Sequence, residues 1–155
     1  MKKLLLGALA IISFISLSFI DKQQQTEYKT ITVVESIIPS GIGRSRMISA
    51  EEVKNYKDYT STRSDDKKKD KRNKSSRSSI RVKNFEETKL LNFFNLGGIR
   101  FQNIAANDAL VDSKINTMAS EGWELAFVNS GVESYGGKGD SNGIYVTRYV
   151  FKRSK

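Results

Sequence analysis

A polar stretch in the middle of the chain limits where a hydrophobic core can form. Residues 54–79 contain no leucine, isoleucine, valine or methionine and are rich in lysine, arginine, serine and aspartate. Such a composition cannot bury enough apolar surface to offset the conformational entropy of an ordered chain. We therefore expect a disordered basic insertion at about 54–79, inside a single domain that spans residues 27–155.

The net charge of the chain is concentrated around this insertion. Ten of the 26 basic residues lie between Arg63 and Lys83, together with three of the 17 acidic residues. The remainder holds 16 basic and 14 acidic residues, although the whole chain carries a formal charge of +9. A basic loop can bind anionic lipid headgroups, whereas a solvated insertion without any binding role is the alternative. The candidate contacts with an anionic surface are Lys67, Lys68, Lys69, Lys71, Arg72 and Lys74.

The first twenty residues are typical of an export signal. Lys2 and Lys3 precede an apolar stretch from Leu4 to Ile20, and polar residues follow it. Cleavage near Ser18 would give a periplasmic or secreted protein, whereas retention would anchor the chain in a membrane through residues 4–20. For an exported protein, the expected partner is another envelope protein or an anionic membrane or envelope surface. Nucleic acid is not the expected partner, because it is scarce outside the cytoplasm.

The absence of cysteine and histidine excludes several kinds of site. Disulfides, zinc sites built on thiolate or imidazole, and nucleophile–histidine pairs are all impossible. We expect no metal and no cofactor. Glu121 and Glu124 are the carboxylates that a hydrolase could use, but the end of a helix and the alternation of a strand direct them to different surfaces. A carboxylate-only hydrolase is therefore the least favoured hypothesis, and no catalytic residue is assigned.

Alternating apolar and polar residues predict a series of strands. β-Branched residues dominate the first of these strands, and turn residues separate successive strands. A glycine-rich turn at Ser134 to Gly143 predicts that the last two strands form a hairpin. The predicted strands are Tyr28–Glu35, Arg44–Ser49, Ile80–Phe85, Trp123–Val132 and Ile144–Lys152.

Helical spacing is clearest between Asp108 and Glu121. Asn107 or Asp108 can cap the start of this helix, and Gly122 can adopt the left-handed conformation that ends it. A second, short helix is predicted over residues 90–97. The fold class is α+β, with a mainly antiparallel sheet of four to five strands packed by one principal helix. The predicted centre of the core consists of Trp123, Leu125, Phe127, Ile115 and Met118.

Three segments carry a resemblance to a known family. The early strand EYKTITVVES, the helix end SEGWELAFV and the final strand GIYVTRYVFKR are similar to the bacterial family called domain of unknown function 4177. The resemblance implies a compact antiparallel sheet packed by one helix, and it implies no activity. The leader, the GIGRSRMI segment and the basic insertion depart from the shortest members of that family.

The segment GIGRSR places two glycines beside Arg44 and Arg46. A plain hairpin turn explains it, but these arginines would form an anion-binding patch if they shared a sheet face with Arg148. The favoured function is a non-enzymatic interaction or binding domain of the cell envelope. The alternative is a small anionic-ligand or phosphate-binding module centred on Arg44, Arg46 and Arg148.

Overall fold

The computed structural model describes residues 25–37, 44–133 and 143–155. Within these ranges the chain forms a five-stranded sheet, a separate two-stranded hairpin and one long helix. The strands are β1 (Thr26–Ser36), β2 (Arg46–Ala50), β3 (Phe85–Lys89), β4 (Phe94–Asn95), β5 (Gly98–Ile99), β6 (Glu124–Glu133) and β7 (Ile144–Ser154). A four-residue helix, α1 (Arg77–Ile80), precedes β3, and the long helix is α2 (Phe101–Ser120).

The main sheet is antiparallel throughout and has the strand order β3-β2-β1-β7-β6. Its centre is the pairing of β1 with β7, which runs from Thr26 opposite Ser154 to Ser36 opposite Ile144. The β-branched residues of β1 suit this central position, because they pack well on a pleated surface. The predicted α+β fold is confirmed.

The core lies between α2 and one face of the sheet. Alternate residues of β1, Ile31 and Val33, are buried on that face, and Phe151 of β7 lies beside them in the register. Helix α2 contributes Val111 and Met118, whose spacing places them on one side of a helix. The buried apolar side chains of the described residues are Ile31, Val33, Met47, Leu90, Val111, Met118 and Phe151.

Helix α2 ends as the sequence predicts, but it begins earlier. Gly122 has a φ angle of +83°, its N–H donates to Ala119, and the N–H of Trp123 donates to Met118, the pattern of a Schellman motif. The helix starts at Phe101 because no proline or glycine interrupts residues 101–107. The predicted cap at Asn107 is wrong, since its amide is buried and bonded elsewhere.

The short helix predicted over residues 90–97 is also wrong. Phe94 pairs with Ile99 and Asn95 pairs with Gly98, so the segment forms the β4–β5 hairpin. The side chain of Asn95 accepts a hydrogen bond from the N–H of Gly97, and Gly98 has a φ angle of +102°. These turn-forming residues outweigh the helical spacing of the apolar ones.

Part of the predicted core is exposed. Met118 is buried, and Ile115 and Trp123 are partly buried against the core. Leu125 and Phe127 are instead 39% and 57% exposed. β6 is an edge strand, and an irregularity in its register between Leu125 and Phe127 puts these two side chains on opposite faces of the sheet.

The predicted strand at Ile80–Phe85 is shifted along the chain. Ile80 ends helix α1, and the strand begins at Phe85, opposite Ala50 of β2. Between them, the backbone N–H groups of Lys83 and Asn84 donate to the Glu52 carboxylate, which holds the chain in a turn before β3.

Three predicted features lie wholly or mostly outside the described residues: the leader at residues 1–20, the glycine turn of GIGRSR at residues 41–43, and the glycine-rich turn at Ser134 to Gly143. Within residues 25–37, 44–133 and 143–155, no helix has both the length and the hydropathy to cross a membrane.

Candidate anion-binding site

Residues 54–83 leave the sheet after β2 and return before β3, and we call them the basic projection. Residues 56–59 and 67–69 form single 3₁₀ turns, and α1 follows. Thr62 and Lys71 exchange two backbone hydrogen bonds, of 2.9 and 3.0 Å, which close a loop between them. No side chain of the basic projection is buried. Local hydrogen bonds hold these turns, and the basic projection has no buried core of its own. The disorder expected from the sequence stays a prediction.

Glu52 fastens the base of the basic projection. Its carboxylate accepts the N–H groups of Lys83 and Asn84, both at 2.9 Å, and pairs with the Lys54 ammonium at 3.1 Å. These contacts, Lys54 first, lower the pKa of Glu52 below its ordinary value. Tyr59 adds a hydrogen bond from its hydroxyl to the carbonyl of Ser79. The two ends of the basic projection are thus joined where they meet the sheet.

A small cavity of about 190 Å³ lies beside the Thr62–Lys71 pairing. Three of its six lining residues are cationic, two are hydroxyl-bearing, and Asp70 is the one acid. One Asp70 carboxylate oxygen accepts the N–H of Ser64 at 2.8 Å. Guanidinium and ammonium groups around a hydroxyl-lined hollow are suited to phosphate or carboxylate oxygens. The lining residues are Ser61, Thr62, Arg63, Asp70, Lys71 and Arg72.

The structure divides the six predicted surface contacts into two groups. Lys71 and Arg72 line the cavity, where they meet Arg63, a residue that was not among those predicted. Lys67, Lys68 and Lys69 instead form an exposed 3₁₀ turn, capped by the Asp66 side chain. Lys74 is exposed between the cavity and α1. Among the six, Lys69 alone has an ion pair within the described residues, to Asp66 at 3.9 Å.

The basic projection leaves the sheet at the end where β1 begins. Ala50 ends β2, and the register of β2 on β1 places it opposite Thr30. Gln25 precedes β1 and its carbonyl accepts the N–H of Lys155 at 2.8 Å. From Thr30 to Gln25 is five residues of extended chain, or about 17 Å. Gln25, Lys155 and the base of the basic projection therefore lie at the same end of the sheet.

The alternative arginine site does not form as a single group. Arg46 and Arg148 share the sheet face opposite α2, but β1 lies between their strands. The Arg46 guanidinium donates to Glu87 at 2.8 Å and to the carbonyl of Ser45 at 2.7 Å, so it is already engaged. Arg44 is exposed and precedes β2. The anion cavity described above is lined by other residues.

The two glutamates considered for catalysis, Glu121 and Glu124, make separate structural contacts. Glu124 pairs with Lys152 at 3.3 Å on the sheet face opposite α2. Glu121 follows the last residue of α2, and its carbonyl accepts a bond from Arg153. The Arg153 guanidinium also lies 4.3 Å from the centre of the Trp123 ring and pairs with Glu27 at 2.6 Å. These contacts tie the helix end to the sheet rather than forming an acid–base pair.

A buried polar network lies at the other end of the sheet. The Asn107 amide donates to Glu35 at 2.7 Å and to the carbonyl of Leu91 at 2.8 Å, and its oxygen accepts the N–H of Leu91. Burial raises the pKa of Glu35, and Asp108 raises it further, while the bond from Asn107 opposes both. Burial and the nearby acids, Glu35 among them, also raise the pKa of Tyr149. Within the described residues no cluster of acids could hold a metal ion.

No family model, curated protein or solved structure matches this chain. The resemblance to domain of unknown function 4177 therefore stays a prediction.

Proposed function

We propose that this chain is a non-enzymatic binding domain of the cell envelope, which docks on an anionic membrane surface through the basic projection. The observation that carries the proposal is the shared end of the sheet. The basic projection leaves the sheet about 17 Å from Gln25, the residue that the leader's polar flank reaches. A leader held in the membrane would bring the lysines of the basic projection to the headgroups.

The charge distribution supports the same function. The surplus of basic over acidic residues between Arg63 and Lys83 amounts to most of the charge of the whole chain. These side chains are exposed, so they reach a surface without unfolding anything. Each lysine or arginine near an anionic leaflet contributes about 1 kcal/mol. Removing three of them should therefore weaken binding by about 3 kcal/mol, or roughly 150-fold.

The test compares full-length chains on vesicles of phosphatidylcholine with and without about 30% phosphatidylglycerol. The leader contributes to binding on both kinds of vesicle, so the measured quantity is the gain in affinity when the anionic lipid is added. The triple change Lys67→Gln, Lys68→Gln and Lys69→Gln should reduce that gain by about 150-fold, and salt should reduce it in the unchanged chain.

The matched control removes three charges away from the basic projection, with Lys89→Gln, Arg100→Gln and Arg148→Gln. It should keep most of the gain. If the control loses as much as the triple variant, the charge of the basic projection has no special role and the proposal is wrong. Competition by millimolar inorganic phosphate would show that the cavity beside Arg63 binds the phosphate group of the lipid. If phosphate does not compete, the exposed lysines outside the cavity bind the membrane surface through their charge.

A further inference from the structure

The two edges of the main sheet differ sharply. β3, at one edge, has five residues and includes Glu86, Glu87 and Lys89. β6, at the other edge, has ten residues, of which only Glu124 and Glu133 at its two ends are charged. No strand of the described residues pairs with the outer side of β6. Short, charged edges resist pairing with another chain, whereas long uncharged ones favour it.

The side chains of β6 are apolar on both faces of the sheet. Leu125, Val128 and Val132 lie on the face that α2 covers, where they are 39%, 48% and 60% exposed. Phe127 lies on the opposite face and is 57% exposed. Four large apolar side chains along one open strand are typical of a surface that another chain covers.

We propose that β6 pairs antiparallel with β6 of a second copy of this chain, about a two-fold axis at Ser130. The register of β6 on β7 is continuous from Phe127 to Glu133, and Ser130 is the middle residue of that regular part. Pairing about Ser130 uses all seven residues in both copies. The result is one sheet of ten strands.

The sequence of β6 is self-complementary in this register. Val128 faces Val132 of the second copy, and each occurs twice by symmetry. Phe127 faces Glu133, and its ring can cover the neighbouring Gly131, which has no side chain to pack. Like charges do not oppose one another anywhere in the pairing. A self-complementary strand favours a second copy over an unrelated strand.

The size of the contact predicts a reversible dimer. Seven residues of strand are about 24 Å long and a sheet layer is about 10 Å thick, which gives a strip of about 240 Å² in each copy. Stable complexes bury about 800 Å² on each side. We therefore expect association at micromolar or higher concentration, for which covalent trapping is a better assay than elution volume.

The chain contains no cysteine, so a single introduced cysteine reports on its own neighbour. The full-length chain carrying Ser130→Cys, kept in mild detergent and oxidised, should form a disulfide-linked dimer because each Ser130 faces its own copy. Glu87→Cys, on the opposite edge, should crosslink at least about tenfold more slowly. Asn129→Cys should also be slow, since it faces Gly131 and not itself. Adding Val128→Glu to Ser130→Cys should slow the crosslinking.

Equal crosslinking at Ser130 and Glu87 would overturn the dimer, because random collision would explain both. Equal crosslinking at Asn129 and Ser130 would overturn the register. A disulfide to a different protein in cell extract, in place of the dimer, would show that β6 binds another strand. None of these results depends on anionic lipid, so this inference and the proposed function can fail separately.

Discussion

Asn107 offers the sharpest test of how the fold is held together. It is 1% exposed, and its amide makes three hydrogen bonds: to Glu35, to the carbonyl of Leu91 and from the N–H of Leu91. Asn107→Ala removes all three and leaves the buried carboxylate without its amide partner. A bond to a charged group contributes about 1.5–3 kcal/mol and each neutral bond about 1 kcal/mol. The expected loss in free energy of unfolding is about 4 kcal/mol at pH 7.

The cost of this change should depend on pH. Burial raises the pKa of Glu35 above its ordinary value of 4.5, and the bond from Asn107 opposes that rise. A raised native pKa means that the native state prefers the protonated acid, so ionisation destabilises it as the pH rises through that range. Without Asn107 the pKa of Glu35 rises further. The cost should therefore shrink toward about 3 kcal/mol at pH 4, where Glu35 is largely protonated and all three bonds are neutral.

Urea unfolding followed by the fluorescence of Trp123, the only tryptophan, measures both quantities. Asn116→Ala is the matched control, because Asn116 is an exposed asparagine of the same helix, and its cost should be within about 0.5 kcal/mol of zero. A loss for Asn107→Ala below about 1 kcal/mol at pH 7, or a loss that is the same at both pH values, would refute the reasoning.

Four further changes test other parts of the structure. Glu35→Gln should raise stability at neutral pH and flatten its dependence on pH between 4 and 8, because it removes a carboxylate with a raised pKa; urea midpoints measure this. Glu52→Ala should speed trypsin cleavage of the basic projection about tenfold, with an unchanged global midpoint, since it frees only the base. Gly122→Ala should cost about 1 kcal/mol in thermal unfolding, whereas Gly131→Ala, in open space, should not. Met118→Ala should cost about 2–5 kcal/mol in urea unfolding, because its side chain is fully buried.

Local patterns predicted those elements in which pattern and packing agree. The alternation of Ile31 and Val33 with threonines predicted β1, and the same two residues are buried. Gly122 marked the end of the helix because the left-handed conformation there is costly for other residues. The pairing of β6 with β7 followed from two strand patterns around a turn.

The remaining features depend on contacts between distant residues. Asparagine is a common residue at helix N-caps, so Asn107 was predicted to be one. Its partner Glu35 is 72 residues away, so no local pattern could show that the helix begins before Asn107. The irregularity in β6 moved Phe127 to the opposite face, which strict alternation cannot predict. Arg63 belongs to the cavity only because Thr62 pairs with Lys71 across a loop, and its neighbours in the sequence give no sign of that pairing.

The position of Gln25 and Lys155 at the same end of the β1–β7 pairing also affects how the protein would respond to force. β1 and β7 are the neighbouring central strands, and the two ends of the folded chain leave them at the same end of their pairing. Tension applied between those ends would open this ladder like a zipper, one pair after another, rather than shearing all its bonds at once. A protein tethered at one end and loaded at the other would therefore yield at low force, at the centre of its own sheet.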